Sequence, residues 1–538
     1  MVTVAAVLLA ATFTRTMERV ATMGPAMATS MYDSHAVQLV YETPLEIDYE
    51  ARPYRLVPGF CEMPEVSADG LTYTFRVRRD EGLQNANVRE CGESSQKVLA
   101  GIRNIREDSR SEDVRDRINA SDMVRSLERL RDPKVVSPNG WIAKDIDTIK
   151  AADARTVEIR LKRRCHFFPW LMAMSACGVV GPNGEGSGPY ELTHWRKNHE
   201  MVFKVKVRGE GERRNSNLHC SPSSFTSFDT VRYLVVDDAS TQWLMFLKGE
   251  LDFLGEISRD NFDSVVGADG KIDPALEHLG VTLHSIPTME VLHIGINMRD
   301  PVLGPNRKLR QALNAAFDYP AWERFYNGRI VPCPTPVPPG VEGRLERPFP
   351  YAYDLAKAKR LIAEAGYPDG IDPKTGRRLV LTMSIGRASQ ESREAGELTA
   401  AFYEKIGVKL ELDFKTWNAF VSAVNEGRVQ MFRMGWVGDY PDAQNFLQLF
   451  YSKCANPGPN HANYANPEFD RAYEAALDAK TAEERNAHWA KCQEIVQEDC
   501  PWVFTHVNKS YSLVRPTVKN YVPTDFPYGV EKYYQVGR

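Results

Sequence analysis

An aspartate flanked by two aromatic rings, with a second aspartate close behind, stands in the stretch VQMFRMGWVGDYPDAQNFLQLFY at residues 429–451. Asp439 lies between Trp436 and Tyr440, and Asp442 follows. A carboxylate beside an indole and a phenol can take a cationic group while the rings stack on the rest of a ligand. The apolar run 429–436 suits a strand, Gly438-Asp439-Tyr440-Pro441-Asp442 breaks it into a turn, and Asn445 is expected to open an amphipathic segment. The same residues also suit an ordinary core strand followed by a solvated turn.

The elements that must carry this stretch are legible along the chain. Strands are expected at 7–13, at 71–77, where Leu71, Tyr73, Phe75 and Val77 share one face, and at 156–161, 201–207 and 231–236. Helices are expected over 32–40, from a Ser121 cap through Leu130, and over 240–247. Residues 80–120 are charged and irregular and suit an exposed loop. Two apolar strands, 281–286 and 291–296, are separated around Pro287, a place for the chain to pass between domains. In the second half, Asp354 caps a helix that Gly366 and Pro368 end, 379–385 is a strand, 394–406 a helix closed by Gly407, and 408–414 a strand. Asn466 caps a further helix, and 501–507 returns as an apolar segment. Strands alternating with helices at this spacing imply an α/β class with helices covering the sheet faces.

Composition narrows the function classes. A chain of 538 residues implies two or three domains, and 43% hydrophobic with 26% charged residues is globular. With 67 basic against 71 acidic residues, a net charge of -4 and no long basic run, a nucleic-acid surface has no electrostatic footprint. No run approaches the roughly 20 apolar residues needed to span a bilayer. Residues 2–12 have the length of a signal-peptide core but no basic segment before them, so they read poorly as a complete signal. The nine cysteines contain no paired C-x-x-C, and His194, His199 and Cys165-His166 with Cys177 fit no ligand spacing on a single helix. The glycine-rich piece 181–189 lacks the Gly-Lys-Ser/Thr ending of a phosphate loop and reads as a sharp turn. Neither a cofactor nor a metal is implied, and an enzyme such as a metal-dependent hydrolase finds no motif.

The segment GWVGDYPDAQNFL at 435–447 resembles the signature of the family-5 extracellular solute-binding proteins, the receptors of oligopeptide and dipeptide ABC importers. Residues 295–303 with 307–313 and Ala316-Phe317-Asp318 resemble that family's second signature. Further similarity lies at 51–58, 70–75, 188–192, 460–470 and 526–529, and the oligopeptide-binding branch is the most similar. In departure from the pattern, Thr16-Met17-Glu18-Arg19 stands for the usual Thr-Leu-Asp-Pro, and Ala443 for the last proline of the turn.

The resemblance implies a two-lobed periplasmic-binding-protein fold, type II, of the large peptide-binding subclass, with an extra α/β subdomain in the first lobe and a two-strand hinge. The first lobe would comprise 1–41, 162–287 and 508–538, its extra subdomain 42–161, and the second lobe 288–507, with hinge passes near 288–296 and 501–508. It implies a receptor rather than an enzyme, closing its lobes on short peptides outside the cytoplasm. The partners would be the peptide and the permease subunits, with no nucleic acid, a monomeric state and membrane association only through the permease or an anchor. Carried over residue by residue, Asp439 matches the aspartate that takes the peptide ammonium, Trp436 and Trp417 match pocket tryptophans, and Arg433 and Arg387 match carboxylate-binding arginines of the oligopeptide and dipeptide branches. Tyr440 completes the aromatic platform of the turn. The same fold with nickel, haem, an opine or a sugar as cargo is the alternative, because fold does not set the ligand.

Overall fold

The computed structural model describes residues 11–78, 117–206, 228–257, 259–267, 270–456, 458–524 and 526–537. Most of the charged loop expected at 80–120 lies outside them, as do residues 7–10 of the first expected strand and Val207. The chain forms two units, one of Met1–Glu50, Arg55–His284 and Tyr511–Arg538, the other of Ala51–Tyr54 and Ser285–Ser510.

In the first unit, β1 (Thr12–Met17) begins later than the expected strand, and α1 (Met31–Val40) follows, with Ser30 and Asp33 forming a reciprocal capping box. Strand β2 (Thr72–Arg76) buries Tyr73 and Phe75 on the face that the period-two pattern predicts. Helix α2 (Ala120–Glu128) is capped by Asn119 and not by Ser121, because Asn119 pairs reciprocally with Asp122 across the first turn and leaves Ser121 inside the helix. Strands β3 (Ile146–Ala151) and β4 (Thr156–Leu161) complete an antiparallel sheet in the order Glu65–Val66, β2, β4, β3. A second sheet is built from β5 (Tyr190–Arg196), β6 (Glu200–Val205), β7 (Thr230–Val235) and β8 (Phe253–Leu254), in the order β8-β1-β7-β6-β5. Between β7 and β8 runs α3 (Ala239–Lys248), capped by Asp238. The core of this sheet is aromatic, with Phe13, Tyr190, Phe203 and Tyr233 almost fully buried.

The second unit carries the candidate site. Its sheet consists of β9 (Glu290–Ile296), β10 (Val380–Ile385), β11 (Lys409–Phe414), β12 (Met431–Val437) and the start of β13 (Trp502–Val514), in the order β11-β10-β12-β9-β13. Strands β10, β11 and β12 are mutually parallel in orientation, and β9 runs antiparallel to β12 and β13. Strand β13 extends well past the expected 501–507, because its later residues also find sheet partners, Leu513 and Val514 pairing with β8.

The helices of this unit include α4 (Arg307–Ala315), α5 (Tyr319–Phe325), α6 (Leu355–Glu364), α7 (Gln390–Glu404), α8 (Trp417–Asn425), α9 (Ala443–Leu447), α10 (Pro467–Asp478) and α11 (Ala482–Asp499). Asp354 and Asn466 cap α6 and α10 as expected, and Gly366 follows α6 in the left-handed conformation at φ 94°. Helix α7 starts at Gln390, earlier than the apolar pattern suggests, because Ser389 caps it and its polar first turn is only partly buried.

Candidate ligand-binding site

Strand β12 and the turn after it form the centre of the site. Side chains alternate along a strand, so Arg433 shares a face with Gly435 and Val437, while Phe432, Met434 and Trp436 share the other. The register with β9 confirms this division, pairing Arg433 with Ile294, Met434 with His293 and Trp436 with Val291. Beyond Val437 the chain turns at Gly438, whose N–H donates to Met289 O at 2.8 Å. A Cβ there would meet Phe446 Cζ at 2.7 Å and Met289 Cε at 3.1 Å, so glycine allows the turn to pack close.

Asp442, and not Asn445, begins the next helix: its carboxylate accepts from Gln444 N at 2.8 Å and caps α9. Asn445 is instead an interior residue of α9, only 1% exposed. Its Oδ1 accepts from Trp436 Nε1 at 2.9 Å and from Asp439 N at 3.2 Å, and its Nδ2 donates to Asp439 Oδ2 at 3.1 Å. Trp436 and Asp439 are thus joined through one buried amide. Asp439 is half-buried and has no ion-pair partner among the described residues. Burial raises its pKa above the usual carboxylate value, and the hydrogen bond from Asn445 opposes that rise.

Tyr440 lies under the turn. It is 2% exposed, its hydroxyl hydrogen-bonds Gln444 Oε1, and Gln444 Nε2 in turn donates to Tyr473 Oη at 2.7 Å. Its ring therefore supports the turn from inside, while Trp436 remains half-buried at the surface.

Arg433 belongs to a separate cluster. Its Nη2 donates to Tyr326 Oη at 2.6 Å, and its guanidinium lies 5.5 Å from the Trp322 ring centroid. Trp322 Nε1 donates to His506 Nδ1 at 3.1 Å. Burial, reinforced by the Arg433 charge, pushes the His506 pKa down to about 3, so the imidazole is neutral. Arg433 makes no ion pair with a carboxylate among the described residues.

Arg387 and Trp417 follow the carboxyl ends of β10 and β11. Arg387 is exposed and without a hydrogen bond or ion pair among the described residues, and Trp417 is 60% exposed at the start of α8. The loops touch: a Cβ on Gly386 would lie 2.6 Å from Phe420 Cδ1 and 3.0 Å from Trp417 Cε3. In open α/β sheets ligands bind beyond the carboxyl ends of the strands. Arg387, Trp417 and Asp439 occupy that position on three strands of like direction, while Arg433 lies within β12 itself.

Sequence reasoning missed Asn445, Tyr326, His506 and a pair of histidines. His293 stacks on Trp502 with centroids 3.4 Å apart, and His293 and His461 line a cavity of about 10 Å3 with Met434, Trp436 and Trp502. Burial, with His461 nearby, lowers the His293 pKa to about 3, and burial lowers that of His461. A histidine or amide inside an otherwise apolar run, as in VLHIGI, FTHVN and AQNFL, was the available signal. Among the described residues no three His, Cys, Asp or Glu side chains gather as a metal group, and no helix is long and apolar enough to cross a membrane.

The family model for bacterial extracellular solute-binding proteins, family 5 Middle, matches residues 55–458. Heme-binding protein A of Haemophilus influenzae is 25% identical over 91% of this chain and 85% of its own length. The dipeptide-binding protein of Escherichia coli is 23% identical over 91% of this chain and 88% of its own. The structure of HbpA2 from Haemophilus parasuis superposes with a TM-score of 0.76 at 22% identity, covering 98% of this chain and 99% of that one. That likeness establishes the fold expected from the sequence, the mixed α/β architecture of the two-domain periplasmic binding proteins. The chain belongs to family 5 of the bacterial extracellular solute-binding proteins.

Proposed function

We propose that this protein captures short peptides bearing a free amino terminus outside the cytoplasm and delivers them, as a monomer, to the permease of an ABC importer, with no chemistry of its own. The observation that carries this reading is Asp439: a half-buried carboxylate without a counter-cation, joined to an indole and placed beyond the strand ends. Such a group is costly unless a cation arrives, and a peptide ammonium makes a charge-assisted bond of the stronger kind there. Arg433, without a carboxylate partner, and exposed Arg387 and Trp417 supply groups for a peptide's other end and side chains. The similarity to a dipeptide-binding protein supports the same cargo class.

The test is native mass spectrometry of the purified protein, then calorimetry with a pool of short peptides. Co-purified peptide, or heat that Asp439→Ala abolishes, is the expected result; no binding in either experiment refutes a peptide cargo. A second reading, haem as cargo, is favoured by the similarity to Heme-binding protein A and by half-buried His461, which burial keeps in the neutral form that ligates iron. Titration with hemin decides it: a shifted Soret band that His461→Ala removes would establish haem.

A further inference from the structure

We propose that Asn445 is the positioning residue of this site: its one amide holds the Asp439 carboxylate and the Trp436 indole as a unit and leaves Asp439 Oδ1 as the oxygen presented to a ligand cation. The orientation of the amide follows from its neighbours. Trp436 Nε1 at 2.9 Å and Asp439 N at 3.2 Å are both donors, so the atom between them must be the oxygen. The amide nitrogen then faces Asp439 Oδ2 at 3.1 Å. A flipped amide would set a donor against two donors.

The backbone fixes the amide in turn. Asn445 N donates to Asp442 O at 3.0 Å, and Gln448 Nε2 donates to Asn445 O at 3.0 Å. Adjacent Gln444 is already engaged by Tyr440 and Tyr473. Two neighbouring amides thus divide the turn: Gln444 holds Tyr440 inside, and Asn445 holds Asp439 and Trp436 at the surface. The choice of a neutral donor matters. A lysine or arginine in this place would order the carboxylate equally well but would cancel its charge and compete with an incoming cation. An amide orders it and leaves the negative charge for the ligand.

That the cation is a peptide ammonium rests on the function proposed above; the positioning role does not. The experiment labels the full chain with 5-fluorotryptophan, which places fluorine on its nine tryptophans, and assigns the Trp436 resonance by its loss in Trp436→Phe. The expected result is a single pH titration step of that resonance in the wild type, absent in Asp439→Asn and in Asn445→Leu. Asn445→Ser, too short to reach both groups, is the second variant, and it also loses the step. In the binding arm, both Asn445 variants weaken trialanine at least tenfold while weakening N-acetyl-trialanine less. A wild-type Trp436 resonance that does not titrate, or one that titrates unchanged in a folded Asn445 variant, overturns the proposal. Failure of trialanine and of the whole peptide pool to bind the wild type refutes the peptide reading alone, and the fluorine titration then decides the role of Asn445.

Discussion

Replacing Asp439 with asparagine removes one negative charge while keeping the shape of the side chain and an oxygen to accept from Asn445 Nδ2, now at 3.1 Å. Hydrogen bonds to charged groups contribute about 1.5–3 kcal/mol. Asp439 is half-buried rather than enclosed, and burial already makes its ionised form costly in the ligand-free protein. The lower half of that range therefore applies, about 1.5–2 kcal/mol, or about 10- to 30-fold in Kd. Calorimetry at pH 7 with trialanine and N-acetyl-trialanine, on wild type and Asp439→Asn, isolates the term as the difference between the two peptides. Trialanine should weaken by that factor and the acetylated peptide by much less. Equal weakening of both would refute the role assigned to the carboxylate.

The pH dependence follows with a definite sign. In the ligand-free protein the Asp439 pKa is raised by burial, and an ammonium at Oδ1 lowers it again. Trialanine affinity is then constant above the ligand-free pKa and falls about tenfold per pH unit as pH drops from that value toward the bound one. For the same reason, the ionised carboxylate costs the ligand-free fold stability above its raised pKa. Asp439→Asn should raise the melting temperature of the ligand-free protein at pH 7.

Three further outcomes are expected. Trp417→Ala removes a ring that is 60% exposed, so the melting temperature should hold while peptide affinity falls by about 0.5–1.5 kcal/mol, read by calorimetry. Gly438→Ala puts a Cβ 2.7 Å from Phe446 Cζ and should cost about 1–3 kcal/mol in urea unfolding. In the first unit, Glu531 is fully buried and meets Arg15 Nη1 at 2.5 Å; burial pushes its pKa up, but His35 and Arg15 together hold it down at about 2. Its contribution to stability is present above the ordinary glutamate value near 4.3 and is lost as pH falls through about 2. Glu531→Gln should flatten that acid limb and, by leaving Arg15 buried without its partner, cost about 3–5 kcal/mol in urea at pH 7.

Local chemistry made much of this protein legible from its sequence alone. Period-two alternation located β2 and its buried Tyr73 and Phe75, and Asp354 and Asn466 capped their helices as their positions suggest. The break after Val437 likewise follows from Gly438 and Pro441, and the motif around Asp439 identified the family. These features depend on residues a few positions apart. Where a turn offers competing caps, as with Asn119 against Ser121 and Asp442 against Asn445, sequence order alone favoured the wrong residue.

What tertiary structure decided was which atoms face one another. Arg433 and Trp436 lie on one short strand, yet alternation and the β9 register send them to opposite faces and to different partners. The surroundings of Arg433 come from Trp322, Tyr326 and His506, which are remote in sequence and meet only because β13 returns to the sheet. Tyr440 and Trp436 are both aromatic neighbours of Asp439, but hydrogen bonding to Gln444 holds one inside and bonding to Asn445 keeps the other outside. Residue type and spacing determined that a carboxylate and rings would share a turn; burial and hydrogen-bond geometry, which depend on the whole fold, determined that Tyr440 lies inside while Trp436 and Asp439 are only half-buried.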